Sequence, residues 1–305
     1  MVVLAGGTGG AQLARGMLDV VGPERLTVIA NTGDDIEIYG AHVSPDPDLV
    51  TFWLADRIDE RGWGLDGDSF RVMGMLRELG AEVYFNLGDQ DLAIGIRRAQ
   101  ALAQGARLTD AQQQIGRALG VGATVLPMSD QPVRTRVMAG GRWQALQEFL
   151  IASGGRGEVQ DVQFRGARAA VPTPEVLRAI ADAQLIVIGP SNPVISIGPM
   201  LAITALREAL AASVAPVIAV SPIVGGLVVK GPTAAFMRHR GVEPDAAGIA
   251  RLYAHVVDAL VTDEDADLGL PVLRTDLLME GAAGRARLAR QTVDFGRSLQ
   301  ARADR

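Results

Sequence analysis

The sequence predicts an α/β protein built on a mostly parallel sheet. Three observations predict it. Short apolar runs of strand length recur at residues 1–5, 26–30, 185–188 and 217–220, with helical patterns alongside them. These runs end in loops of Gly, Pro, Ser, Asn or Asp, the turn chemistry of βα connections. The spacing of the first two runs fits a right-handed crossover between parallel strands.

Residues 1–5 (MVVLA) read as a buried strand that breaks into Gly6-Gly7-Thr8-Gly9-Gly10, and residues 11–19 then carry helical apolar positions at Leu13, Met17 and Leu18. Strand, glycine loop and helix together can present backbone N–H groups to a phosphate. Neither standard fingerprint is complete. A dinucleotide fingerprint counted from Gly7 needs Gly or Ala at position 12, where Gln12 stands, and a Walker loop needs a lysine, whereas Lys230 is the only lysine in the chain. Gly7, Thr8, Gly9 and Gly10 are therefore read either as a phosphate site or as a tight turn.

The second strand, 26–30, ends in Asn31-Thr32-Gly33-Asp34-Asp35. Ligands of parallel sheets bind beyond the carboxyl ends of the strands, so Asp34 and Asp35 are expected on the rim that carries the glycine loop. Residues 44–48 (SPDPD) precede a helix with Leu49, Phe52, Trp53 and Leu54 on its inner face. Asp46 and Asp48 could simply cap that helix. Four acids on one rim exceed what capping needs, and hard oxygen ligands near a phosphate loop suit Mg²⁺.

Residues 57–64 read as a loop, 69–79 as a helix, 83–86 (VYFN) as a strand ending at Asp89 and Asp91, and 92–120 as helical; 124–128 and 134–138 read as strands. We assign residues 1–90 and 175–305 to the core and 91–174 to an inserted, partly helical region. The alternation resumes with a helix at 173–183 and the strand 185–188, which runs into Gly189-Pro190-Ser191-Asn192. A helix opened by Pro199, the strand 217–220, a helix at 246–260, a strand at 272–274 and a final helix from 283 complete the expectation.

Composition narrows the function classes. The 48% apolar and 21% charged content is that of a globular chain, and the net charge of -6 gives no electrostatic footprint for nucleic acid. The absence of cysteine excludes disulfides, thiolate metal sites and cysteine nucleophiles. With no signal-like start and no apolar run of membrane-spanning length, the expectation is a cytoplasmic protein that does not engage membranes. Lys230 stands alone where arginine serves everywhere else, and a compact ammonium suits a phosphate or a base carbonyl. Among the histidines only His42 lies near the acidic loop, and no Ser-His-Asp order or His-rich metal spacing is present.

Assembled, these residues resemble the 2-phospho-L-lactate transferase family of deazaflavin coenzyme F-420 biosynthesis. The matching stretches are 4–10 (LAGGTGG), 31–35 (NTGDD), 44–48 (SPDPD), 87–93 (LGDQDLA), 190–199 (PSNPVISIGP), 221–226 (SPIVGG) and 230–232 (KGP), in the family's order over nearly the whole chain. The resemblance implies a Rossmann-like, doubly wound core with an inserted smaller region. It also implies transfer of a phospholactyl-type or phosphoenolpyruvyl group from a guanosine-diphosphate-linked donor to the ribityl hydroxyl of the deazaflavin Fo, releasing GMP with the help of Mg²⁺. Carried over, Asp34 and an acid of the Asp46/Asp48 pair would hold Mg²⁺ or orient the hydroxyl, with Asp34 or Asp35 as the catalytic acid residue that accepts its proton. Asn31 and the glycine loop would follow the diphosphate and ribityl path, and Asp89 would contact substrate. Ser191, Asn192, Lys230, Gly231 and Pro232 would hold the guanosine end.

Two departures touch the acceptor pocket and donor preference: Ile94-Gly95 replace the usual Thr-His, and Ser129-Asp130-Gln131-Pro132 replace a more acidic pattern. A sister group that binds nucleotide sugars for cell-envelope regulation is the alternative, but it carries a Gly-Gly-Ser-Ser-Gly-Arg run where this chain has Ile36-Glu37-Ile38-Tyr39-Gly40. A nicotinamide dehydrogenase is a third reading, opposed by Gln12. The apolar C-terminal third could supply a homodimer interface.

Overall fold

The structure is a computed structural model that describes residues 1–228 and 231–303. Strand β1 (Val2–Ala5) leads into helix α1 (Gly7–Val21), and β2 (Thr27–Ala30) follows. An antiparallel hairpin, β3 (Ile36–Ile38) and β4 (Ala41–Val43), precedes α2 (Pro45–Leu54). Helices α3 (Arg71–Glu78), α4 (Asp89–Ala103) and α5 (Leu108–Ala118) lead to β5 (Thr124–Pro127). A separate antiparallel sheet comes next, from β6 (Arg134–Ala139), β7 (Arg142–Ala145) and β8 (Val159–Arg165), with α6 (Leu146–Ile151) between the last two.

The alternation then resumes through α7 (Pro174–Ala181), β9 (Ile186–Ile188), α8 (Gly198–Ala202), α9 (Thr204–Ala211) and β10 (Val217–Val220). A short ribbon, β11 (Ile223–Val224) with β12 (Leu227–Val228), leads to α10 (Thr233–His239) and α11 (Ala246–Leu252). Strands β13 (Ala259–Thr262) and β14 (Val272–Arg274) and the long helix α12 (Gly281–Ala303) end the described chain.

Seven strands form one sheet in the order β14-β13-β10-β9-β1-β2-β5, every neighbouring pair parallel. Alternation along β1 sends Val2 and Leu4 into one core and Val3 and Ala5 into another on the opposite face. A strand covered on both sides has no polar face, which is why its sequence is uniformly apolar. Connections run outward from β1 on one side and from β9 on the other, so the order reverses between these two strands. The crevice at such a reversal is where open α/β sheets bind ligands. None of the described helices is long and apolar enough to cross a membrane.

The structure redraws three expectations and adds one element. The stretch 91–174 is not one insertion, because β5 pairs in parallel with β2 inside the main sheet; the antiparallel sheet that follows it is the added unit. Residues 83–86 form no strand: Val83 and Phe85 pack against a small cluster around Met73, and the Phe85 N–H donates to the Tyr39 hydroxyl. The expected helix at 246–260 stops at Leu252, His255 takes a positive φ of 67°, and the β-branched run beyond it enters the sheet as β13. The hairpin at 36–43 has no counterpart in the expectation. It turns on Tyr39 and Gly40 at φ 52° and 76°, two consecutive left-handed residues that suit a tight hairpin connection.

Candidate active site

The site forms where the loops after β1, β2 and β9 meet the start of α2. Asn31, fully buried at the end of β2, holds it together. Its side-chain amide donates to Asp34 Oδ1 at 3.0 Å and to Asp46 Oδ2 at 2.9 Å, and its Oδ1 accepts from the Gly33 N–H at 2.8 Å. Asp46 Oδ1 takes the Gly7 N–H at 2.6 Å, and Gly6 N–H donates to Ser191 Oγ at 3.2 Å. One side chain thus ties the acidic loop to α2, and Asp46 ties α2 to the glycine loop. Asp34 Oδ2 has no hydrogen-bond partner among the described residues.

Burial raises the Asp34 carboxyl well above the usual range, the Asp46 and Asp35 charges push it further, and the Asn31 hydrogen bond opposes them. Asp46 rises to about 6 through burial, against hydrogen bonds from Asn31 and Gly7 and with a further push from Asp35. Two buried carboxylates brought together by a neutral amide resist ionisation until something positive joins them.

Asp35 belongs to a neighbouring arrangement. Its Oδ1 accepts from Ser44 Oγ at 2.7 Å and its Oδ2 pairs with His42 Nε2 at 3.0 Å, while His42 Nδ1 faces Glu37 at 3.3 Å. Arg134 closes the row on Glu37 at 2.6 Å. Burial would lower the His42 imidazolium, but Asp35 and Glu37 outweigh it and raise the group to about 9. A cavity of about 420 Å³ lies beside it, lined in part by Tyr39, His42, Ala99 and Leu102.

Several assignments change on this geometry. Asp48 does not fit a metal ligand: the fully buried Arg98 guanidinium takes both its oxygens and also donates to the His42 carbonyl at 2.9 Å and to Gln112 Oε1 at 3.2 Å. Asp35 has both oxygens engaged by Ser44 and His42 and orients the acidic loop through them. Asp89 caps α3, accepting from Ser69 Oγ at 2.5 Å and from the Arg71 and Val72 N–H groups at 3.2 and 3.0 Å. Asn192 turns its oxygen to the Val194 and Ile195 N–H groups and donates to Thr233 Oγ1 at 3.2 Å, tying its loop to α10.

The glycine loop is shorter than its sequence suggests, because α1 begins at Gly7. A Cβ on Gly9 would overlap the Pro190 carbonyl oxygen, and one on Gly10 would lie 2.5 Å from Ser191 Oγ. These glycines let α1 seat against the loop after β9. Gly231 and Pro232 precede α10, whereas Lys230 lies outside the described residues. Arg98 and Ser44 escaped sequence reasoning. An arginine at 98 in a helix otherwise built for burial on that face, among Leu92, Gly95 and Ala101, is the signal that could have found one of them.

Among the described residues no group of three or more His, Cys, Asp or Glu is placed to hold a metal ion. Asp34 and Asp46 fit a different mode, in which Mg²⁺ takes one or two carboxylates and completes its shell with substrate phosphate and water.

Comparison with known proteins identifies the family. A family model described as 2-phospho-L-lactate transferase CofD matches residues 1–274. The 2-phospho-L-lactate transferase of Methanosarcina mazei is 37% identical over 302 residues, covering 96% of this chain and 99% of its own length. That of Methanocaldococcus jannaschii is 36% identical over 309 residues, covering 98% and 99%. The phosphoenolpyruvate transferase of Kitasatospora aureofaciens is 38% identical over 310 residues, covering 95% and 96%. In fold, the chain is similar to protein BH3568 of Bacillus halodurans, with a TM-score of 0.63 and 17% identity over 96% of this chain and 98% of that one. The chain belongs to the 2-phospho-L-lactate transferase family of coenzyme F-420 biosynthesis and is a transferase.

Proposed function

We propose that the chain transfers a 2-phospholactyl-type or phosphoenolpyruvyl group from a guanosine-diphosphate-linked donor to the ribityl hydroxyl of the deazaflavin Fo, releasing GMP. The observation that carries this reading is the Asp34–Asn31–Asp46 arrangement, buried at the reversal of the sheet and joined to the glycine loop. Transfer of a phosphoryl group asks a protein for positioning and charge neutralisation more than for covalent help. Asn31 supplies the positioning by fixing both carboxylates. Asp34 Oδ2, which has no hydrogen-bond partner among the described residues, accepts the proton of the attacking hydroxyl. Asp34 and Asp46 would hold Mg²⁺, which when bound neutralises phosphate charge. Ser191 keeps the loop after β9 against Gly6, and the Pro190 carbonyl keeps that loop against Gly9.

The test is calorimetric titration of the purified chain with Fo and, separately, with GDP, each with Mg²⁺, followed by an assay for GMP release from a GDP-linked donor. Binding of both ligands and release of GMP only when Fo is present are expected. Nucleotide binding without Fo binding would overturn the transfer to Fo.

A further inference from the structure

His42 joins the β3–β4 hairpin to the acidic loop. It stands directly across from Glu37 in the hairpin register, and its ring meets a carboxylate at each nitrogen. Nε2 lies 3.0 Å from Asp35 Oδ2 and Nδ1 lies 3.3 Å from Glu37 Oε1. The two carboxylates differ in burial, for the Asp35 side chain is 0% exposed and that of Glu37 is 65% exposed. Among the described residues His42 is the only basic side chain paired with Asp35.

A ring with an acceptor at each nitrogen donates from both and is an imidazolium. The charged groups that face it are Asp35 from the acidic loop, Glu37 from β3 and Arg98 from α4, while Arg134 from β6 meets Glu37 on its far side. Burial opposes the ring's charge, but the two carboxylates outweigh both burial and Arg98, and the proton stays to about pH 9.

Asp35 directly follows Asp34 in the chain. Its N–H closes a turn on the Thr32 carbonyl at 3.3 Å, and its carboxylate is held by His42 and Ser44. Asn31 holds the other end of the turn through the Gly33 N–H and Asp34 Oδ1. Asp34 therefore sits between two anchors, and the second depends on a charge. A neutral ring would leave the Asp35 carboxylate buried without a counter-charge, which is costly, and the loop would shift to hydrate it.

We propose that His42 is a positioning residue, whose protonated ring fixes Asp35 so that the neighbouring Asp34 keeps its place at the attacking hydroxyl. The assignment rests on the transferase reading above. It ties turnover, and not nucleotide binding, to the charge of the ring, because His42 is bonded to the acidic loop and not to the glycine loop or α10.

The experiment measures kcat, and KM for the donor, in GMP release from Fo and a GDP-linked donor across the neutral to alkaline range. It compares wild type with His42→Gln and Glu37→Gln. Wild-type kcat should fall as pH rises through about 9. Glu37→Gln removes one of the two carboxylates that keep the proton on the ring, so its fall should begin at lower pH. His42→Gln, neutral at every pH, should lower kcat by roughly ten- to a hundredfold at neutral pH, keep KM for the donor within a few fold, and lack the alkaline fall. An alkaline fall that is the same in all three chains would belong to another group and overturn the assignment. So would a His42→Gln chain with wild-type kcat at neutral pH, or one that loses donor binding along with turnover; in each of these cases the transferase reading stands. A wild-type chain that releases no GMP at any pH overturns the transferase reading itself and this assignment with it.

Discussion

Replacing Asp34 by Asn removes a buried carboxyl that resists ionisation and must take up a proton on folding at neutral pH, with no cationic side chain meeting it among the described residues. Two opposite effects are expected from the one change. Turnover should fall by roughly 10²–10⁴-fold, the usual contribution of a positioned acid or base, while Tm of the free chain at pH 7 should rise. Loss of both activity and Tm would mean that the carboxylate supports the fold. Asp46 carries a pH signature. Its folded carboxyl titrates near 6, against roughly 4 for an ordinary aspartate, so the folded chain holds the extra proton between those values. Stability from that proton is full below about pH 4 and is lost as pH rises through about 6, on the order of 2–3 kcal/mol. The Tm difference between wild type and Asp46→Asn should therefore change over this interval; a constant difference would remove the assignment. His42 titrates near 9, above the ordinary value of about 6.5. The stability of its pairing with Asp35 and Glu37 is present below that ordinary value and is lost as pH climbs through about 9. His42→Gln should cost most Tm near pH 6 and least near pH 10. The acids themselves were legible in the sequence, since turn residues at strand ends must reach the rim. Their partners were not: Asp48 meets Arg98 across fifty positions, and no local pattern announces such a pair.

At the scale of elements, the two glycine classes make a controlled comparison. Gly9→Ala would gain helix propensity, but its Cβ would overlap the Pro190 carbonyl oxygen and force α1 away from the loop after β9. A loss of roughly 1–3 kcal/mol is expected, together with weaker nucleotide binding. Gly74→Ala, in α3 with nothing within 4 Å of the new atom, should instead stabilise by about 0.5–1 kcal/mol. Urea midpoints of the two variants should move in opposite directions, and a shared direction would mean that the Gly9 contact is soft. Arg98 joins α4 to α2 and β4 through Asp48 and the His42 carbonyl. Arg98→Met would strand the Asp48 carboxylate, costing roughly 3–5 kcal/mol; adding Asp48→Asn should restore a good part of it, and no restoration would mean that Arg98 acts through packing alone. Elements with strong periodicity, β1, α1, β9 and β10, were legible. The hairpin was not, because three-residue strands carry little pattern and the Tyr39–Gly40 turn is marked by a single glycine. The strand expected at 83–86 failed for the complementary reason: its aromatic residues suit a strand, yet Val83 and Phe85 pack into a satellite cluster where no sheet edge receives them.

The whole molecule is a sheet with two cores, and only one of them contains the helix that starts at the site. α12 helps close that core: Leu288, Ala289 and Val293 are buried in it beside α1 residues Leu13, Ala14 and Met17. The approach is close, since a Cβ on Gly16 would lie 2.5 Å from the Arg285 carbonyl oxygen. Parallel pairing and the βα rhythm were visible in the sequence, but not the role of β5, because a strand's sheet membership depends on where the chain has already gone. That α12 lies along α1 was equally hidden, as helices distant in sequence meet through shape and not through motif. Removing residues 281–303 would uncover this face, and the two larger apolar side chains alone contribute about 1.5–3 kcal/mol each. That sum is comparable to the lower end of the stability of a whole domain, about 5–15 kcal/mol. The truncated chain should therefore lose its single cooperative transition in calorimetry, and with α1 unseated it should no longer bind GDP. A truncated chain that melts in one transition near the wild-type Tm would instead place the stability of this face in the α1–α2 packing, and α12 would be a cover with no part in holding the glycine loop.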